Sequence, residues 1–259
     1  MLAILSPAKT LDYASPVPDL PLTRPAFVQH SQTLIGLLRD FSVAELAALM
    51  DIGDKLAALN VARFAAWSPR FTGRNSRAAI LAFRGDVYEG LEAWTFTAED
   101  HAFAQARLRI LSGLYGLLRP LDRLQPYRLE MGTALANPAG RNLYAFWGDA
   151  LARALNAALA EQGDDVLVNL ASDEYSRAAL TQALRAQVVT PQFREERNGQ
   201  FKMVSFYAKR ARGLMAAYIV RNRLANAAAL KDFAADGYTF NKKLSAGDTL
   251  VFTRRMPVK

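Results

Sequence analysis

Five cations, Lys9, Arg84, Arg119, Arg128 and Lys209, stand in polar, irregular segments beside expected strand or helix ends. A sheet gathers its strand ends in one place, so these five are expected to line a shared cleft. Arg210 and Arg212 follow Lys209 in "SFYAKRARGLMAAYIVRNRL" (Ser205–Leu224), a stretch with five cations and no acid. On a helical wheel Lys209, Arg212 and Arg223 fall within roughly 60°, and Arg210 and Arg221 within about 20°. Tyr207 and Tyr218 lie among them. Cations that neutralise phosphates and aromatics that stack on bases are what a nucleic-acid groove uses. The stretch fits equally well a core helix whose arginines reach outward along their stems, because Leu214, Met215, Ile219 and Val220 need burial either way.

A second phosphate-directed pattern is "MDIGDKLAAL", where Asp51-Ile52-Gly53-Asp54-Lys55 joins two apolar segments. A helix-hairpin-helix element places a glycine-flanked turn before a helix whose first amides have no intrahelical partner. The helix dipole there favours an anion. Gly53 could take a positive φ and bring backbone close to a phosphate, Lys55 would add charge, and Ala57 would let the helices pack closely. The element is expected over residues 43–66, with Ile52, Gly53, Asp54 and Lys55 at the phosphate. The same residues also make an ordinary helix junction with Asp54 as N-cap. Asp51 and Asp54 would repel a phosphate, and this stretch alone favours the plain junction.

"LSGLYGLLRPLDRLQPYRLEMG" (Leu111–Gly132) crowds Arg119, Arg123, Arg128, Asp122, Glu130, Tyr115 and Tyr127 into a region broken by two glycines and two prolines. Such polar density on irregular backbone lines clefts; the alternative is a loop held by its own Arg–carboxylate pairs. "SPAKTL" (Ser6–Leu11) and "FRGDVYEGL" (Phe83–Leu91) also follow strand ends. "NLASDEY" (Asn169–Tyr175) does so too, although Ser172 or Asp173 as a helix cap is its simpler reading. No complete catalytic signature is present: no Walker loop, no Gly-x-Ser-x-Gly, no His-Glu-x-x-His and no Gly-x-Gly-x-x-Gly.

The elements that must position these residues follow from pattern. "LAILS" reads as a buried strand, and "YASPVPDLPLTRP", with four prolines, as an extended loop. "AFVQHSQTLIGLLRDF" has helical spacing, and Ser42 with Glu45 forms a capping box ahead of "VAELAALM". "DKLAALNVARFAAW" and "AEDHAFAQARL" are helical, as is "FWGDALARALNAALAEQG", closed by Gly163. "AAILAFRG" reads as a strand into a turn. "RILSGLYGLL" opens as a strand, "DVLVNLAS" is a strand feeding a helix at "DEYSRAAL", and "TLVFTRR" is a final strand. Asn198-Gly199 between β-forming runs predicts a hairpin with strands near Val188–Arg194 and Phe201–Phe206. The order lacks a steady βαβ alternation, so the fold class is α+β (mixed α/β). One compact domain over residues 1–259 is expected, with a central mixed sheet.

The composition suits a globular chain, with 51% apolar and 22% charged residues. The absence of cysteine excludes disulfides, iron–sulfur ligation, thiolate zinc and thiol peroxidase chemistry. With two histidines far apart, a histidine-rich metal site is not expected, and no cofactor is assigned. The N-terminus lacks the basic region of a signal peptide and no apolar run has membrane-span length, so a cytoplasmic protein without membrane attachment is expected. The net charge of +8 suits a polyanionic partner. No obligate protein partner is inferred.

Together "SPAKTL", "DKLAALNVARF", "FRGDVYEGL", "LSGLYGLLRPLDRLQPYRLEMG", "FWGD", "NLASDEY" and "SFYAKRARGLM" resemble the YaaA family of bacterial peroxide-stress proteins, in order and over nearly the whole chain. The resemblance implies a cytosolic protein that limits oxidative damage by lowering unincorporated iron. It also implies a mixed α/β fold, a helix-hairpin-helix element at Asp51–Lys55, and a positive cleft that binds double-stranded or distorted DNA. Lys9, Arg84, Arg119, Arg128, Lys209, Arg210 and Arg212 are its cleft candidates. Two other readings stay open. One is an enzyme acting on a nucleotide-like or phosphorylated substrate near Lys9, Asp86, Tyr115, Arg128, Glu130 and Asp173. The other is a carboxylate-based iron-binding protein using Asp86, Glu130, Asp173 and Glu174.

Overall fold

The first apolar run of the chain becomes the middle of a sheet in the computed structural model, which describes residues 1–255. In chain order, β1 (Leu2–Leu5) and β2 (Thr10–Leu11) precede three helices, α1 (Val28–Arg39), α2 (Val43–Met50) and α3 (Asp54–Ala66). Next come β3 (Arg77–Ala78), α4 (Ala79–Ala82), β4 (Phe83–Arg84) and α5 (Asp86–Leu91). α6 (Ala98–Arg107) leads into β5 (Leu108–Ser112), β6 (Gly116–Leu118) and β7 (Arg123–Leu124). α7 (Leu143–Trp147) and α8 (Ala150–Glu161) precede β8 (Val166–Leu170) and α9 (Asp173–Ala179). β9 (Gln187–Arg197) and β10 (Gln200–Lys202) come before α10 (Ser205–Arg221), β11 (Thr239–Phe240) and β12 (Thr249–Arg255).

The fold is α+β. Its eight-stranded sheet has the order β11-β12-β9-β8-β1-β5-β6, with β10 paired to β9. β12, β9, β8, β1 and β5 run parallel, while β6 and β11 close the two edges antiparallel. Strands covered by helices on both faces read as continuous apolar runs, and β1 and β5 are buried at every residue. Two short ladders, β2–β4 and β3–β7, lie apart from this sheet.

Several expected elements form as read. The Ser42–Glu45 capping box holds the start of α2, and Thr97 with Asp100 makes a second box on α6. Asn198 and Gly199 take φ of 51° and 74°, the positive pair that a tight hairpin turn needs. Others differ. The return strand β10 ends at Lys202 and α10 begins at Ser205, so Phe206 is helical and not part of a strand. Ala79–Ala82 is a buried helical turn, with strand only at Phe83–Arg84. The Ala79 and Ile80 amides donate to Asp122 O and Pro120 O, and a short apolar run cannot by its pattern tell such a turn from a strand. The expected helix from Phe146 to Gly163 is cut at Gly148, whose φ of 45° ends α7 before α8 starts.

The contact that matters most for the site is the crossing of α5 and α10. A Cβ on Gly213 would overlap Val87 O, and one on Gly90 would overlap Arg210 O. Only glycine at both positions lets the backbones touch, which sets α10 against the segment that carries Arg84 and Asp86.

Candidate functional site

β1 and β8 are adjacent and parallel, with Leu5 opposite Leu170. The chain leaves β1 towards β5 on one side and leaves β8 towards β9 on the other, so their carboxyl ends flank a crevice where ligands collect in such sheets. At its floor the Ser172 amide donates to Ser6 Oγ at 2.8 Å, and the two serine hydroxyls lie 3.2 Å apart. Tyr88 OH donates to Ser6 O at 3.1 Å. Ser172 does hold the N-cap position of α9, yet its side chain does not cap the helix and faces Ser6 instead.

A cleft of about 300 Å³ opens above this floor. One wall is the loop through Tyr127–Glu130. It is fixed by Tyr127 OH to Ser112 Oγ at 2.6 Å and by Gly113, where any Cβ would strike Leu129 O. Glu130 bridges two cations, Lys9 Nζ at 2.7 Å and Arg128 Nη2 at 2.9 Å. Glu174 Oε1 accepts from the Gly132 amide at 2.9 Å, which ties α9 to the same loop. Arg84 is held by Asp12 at 3.2 Å and Glu89 at 3.5 Å, with its guanidinium 4.6 Å above the Trp94 ring. The last wall is α10, through Lys209 and Arg212. Burial pulls the Arg212 pKa below the usual arginine value, against the opposing field of Asp173. Burial also raises the Tyr127 and Tyr175 phenols, so they act here as neutral hydrogen-bonding groups and not as bases.

The cleft thus gathers Lys9, Arg84, Arg128, Lys209 and Arg212 from four separate segments, along with Asp86, Glu130 and Glu174. Arg119 is not among them. Its guanidinium is spent on buried Asp122 at 3.2 Å and reaches Arg24 O, so it braces the loop from another side. Arg210 lies outside the cleft lining and donates to Glu89 O at 3.3 Å. Tyr115, weighed as a catalytic group, is fully buried and accepts from Trp67 Nε1 at 2.9 Å. Asp173 is exposed at the start of α9 and does not line the cleft. Among the described residues, no three of His, Asp or Glu are grouped as metal ligands would be. Glu130, one of the carboxylates considered for iron, is occupied by Lys9 and Arg128.

The hairpin stands apart from this cleft, since none of Ile52, Gly53, Asp54 and Lys55 lines it. α2 ends on Asp51 with φ 50°, and the Ile52 amide closes back on Ala47 O. The left-handed residue is therefore Asp51. Gly53 is extended, with φ −69° and ψ 155°, and is itself the N-cap of α3. Asp54 is the first helical residue and not the cap. Because Gly53 has no side chain to cap the helix, the first amides of α3 remain open beside exposed Asp54 and Lys55. Ala57 is fully buried, as close packing requires, and Arg39 donates to Phe64 O at 3.0 Å and Trp67 O at 2.7 Å, fastening α1 to the far end of α3.

Sequence reasoning missed Tyr175 as a lining residue and read Ser172 as a cap. The chemistry of Ser6 with Ser172 appears only once β1 and β8 are known to be neighbours. Among the described residues no helix is long and apolar enough to cross a membrane. The family model for "Peroxide stress protein YaaA" matches residues 1–244.

Proposed function

Because the chain belongs to the peroxide stress protein YaaA family, we propose that it acts in the cytosol by binding double-stranded or distorted DNA and limiting damage linked to free iron. The observation that carries the DNA half is the uncapped, exposed start of α3 at Gly53-Asp54-Lys55. Open amides, the positive end of a helix dipole and a lysine together suit a phosphate. Asp51 and Asp54 oppose this, so the grip depends on backbone donors more than on net charge. The cleft cations Lys209 and Arg212 supply a second phosphate-facing surface, for a distorted segment or strand end and not for regular duplex. The family resemblance supports the iron-linked half.

The test is duplex binding by fluorescence anisotropy over a range of salt. A Cβ at Gly53 would meet nothing within 4 Å, and its extended backbone accepts a β-branched residue. Gly53→Val should therefore fold normally, with a side chain standing over the open amides, and bind duplex more weakly. Lys55→Ala should flatten the plot of log K against log salt by about 0.9. Parent-like binding in both variants would return this turn to a plain helix junction. Protection of plasmid DNA from ferrous iron and peroxide should fall in the same variants. Undiminished protection would detach the iron effect from DNA binding.

A further inference from the structure

Five cations line the cleft, but three are already ion-paired. Lys9 and Arg128 share Glu130, and Arg84 is held by Asp12 and Glu89. Lys209 and Arg212, one helical turn apart on α10, form no ion pair or hydrogen bond among the described residues. With Asp12, Glu89 and Glu130 engaged on those three, Lys209 and Arg212 are the two lining cations without a paired carboxylate among the described residues. Arg212 is partly buried and a charge held from water without an ion pair is costly, and an anion that fills the recess removes the cost.

The shape narrows the anion. A recess of about 300 Å³ is at the small end of ligand sites and takes one sugar- or nucleotide-sized molecule, not a duplex. A phosphate monoester carries roughly 1.5–2 negative charges at neutral pH and can engage both unpaired cations, whereas an internal phosphodiester carries only one. Glu174 Oε2 has no donor among the described residues, and the Ser6–Ser172 hydroxyl pair lies on the floor. These are acceptors and donors for sugar hydroxyls.

We propose that the cleft binds a phosphate monoester of a ribose-sized polyol, with Lys209 and Arg212 on the phosphate and Glu174 with the serine pair on the hydroxyls. This site stands independently of duplex binding at the hairpin. Its ligand is either a free sugar phosphate or nucleotide, or the 5′-phosphorylated end of a DNA strand, and these share the recognised group.

Calorimetric titration of the full chain with ribose 5-phosphate and with ribose tests the proposal. Ribose 5-phosphate should bind and ribose should not. Lys209→Ala and Arg212→Gln should each weaken the binding by about tenfold or more, as expected for loss of a charge-assisted bond. Lys209 is exposed, so its variant stays folded and informative even where the Arg212 variant does not. A duplex with 5′-phosphate ends that binds better than one with 5′-hydroxyl ends, with the difference lost in Lys209→Ala, assigns the strand end. Ribose 5-phosphate binding with no such end preference assigns the free ligand. Equal affinity for ribose 5-phosphate and ribose, or parent affinity in Lys209→Ala, overturns the site. Lys55→Ala should bind ribose 5-phosphate normally, which separates this result from any failure of the hairpin to bind DNA.

Discussion

His101 carries a cost that shows only in acid. It is 3% exposed, lies edge-on to Phe96, and neither ring nitrogen has a partner. Burial pulls its pKa below 6.5, while neighbouring Asp100, itself paired to Arg223 at 2.6 Å, pulls the other way. Above the ordinary imidazole value, folded and unfolded chains are both neutral there and the residue contributes no pH dependence. Below it the unfolded chain takes up a proton that the folded chain resists, so stability falls until the folded pKa is reached. His101→Phe should therefore lose less stability than the parent as pH falls below the ordinary imidazole value of 6.5, in urea melts. Identical losses in both proteins would place the acid sensitivity elsewhere. Residue-level reading worked where chemistry is local, as at the Ser42 capping box and the Asn198-Gly199 turn, and failed where geometry is shared. In "DIGDK" the sequence pointed to positive φ at the glycine, but Asp51 takes it because the closing bond from Ile52 to Ala47 needs the turn one step earlier. Aspartate tolerates that region well enough for the swap.

At the scale of elements, the α5–α10 crossing is the part with least tolerance. Gly213→Ala would press a methyl group into Val87 O, on backbone that cannot rotate away. Overpacking of this kind costs about 1–3 kcal/mol, and the rest of the strain should appear as displacement of α10. Gly36→Ala on α1, where a Cβ meets nothing within 4 Å, serves as control and should stabilise slightly. Thermal melts of the pair decide it: comparable midpoints would mean the helices can part at little cost. Nothing in "ARGLM" announces this contact, since a glycine inside a helix reads as a weakness until its partner helix is known. The elements themselves were far more legible. β1 is a continuous apolar run, β5 and β8 are mostly apolar with Arg109, Ser112 and Asn169 between, and Asn198-Gly199 marks its own turn. What stayed hidden was strand order, because β1 pairs with segments more than a hundred residues away and no local pattern encodes that.

For the whole molecule, a net charge of +8 says little about where a polyanion would sit, because most of the cleft's cations are answered by carboxylates. The sequence placed Lys209, Arg210 and Arg212 together on one basic helix, but the fold separates them. Arg210 turns to the backbone of α5 and leaves two residues for the cleft. If duplex phosphates reach α10, replacing all three with alanine should lower the salt slope by about 1.8, two contacts at about 0.9 each. Restoring Arg210 in that triple variant should leave the slope where it was. A loss near 2.7, recovered in part by Arg210, would put Arg210 on the DNA and contradict its position against Glu89.

The central place of β1 also sets a timetable for synthesis. Among the described strands β1 is made before its neighbours, and both of them, β5 and β8, are translated much later. At about 5–20 residues per second, reaching Leu170 takes roughly 8–35 s after Leu5. Until β5 is made "LAIL" has no edge to join, until β8 is made one side stays open, and an apolar strand with free amides and carbonyls pairs with whatever chain it meets. The nascent protein therefore passes through a stage in which its future core is its most adhesive surface, and β8 ends that stage by closing the second side of β1.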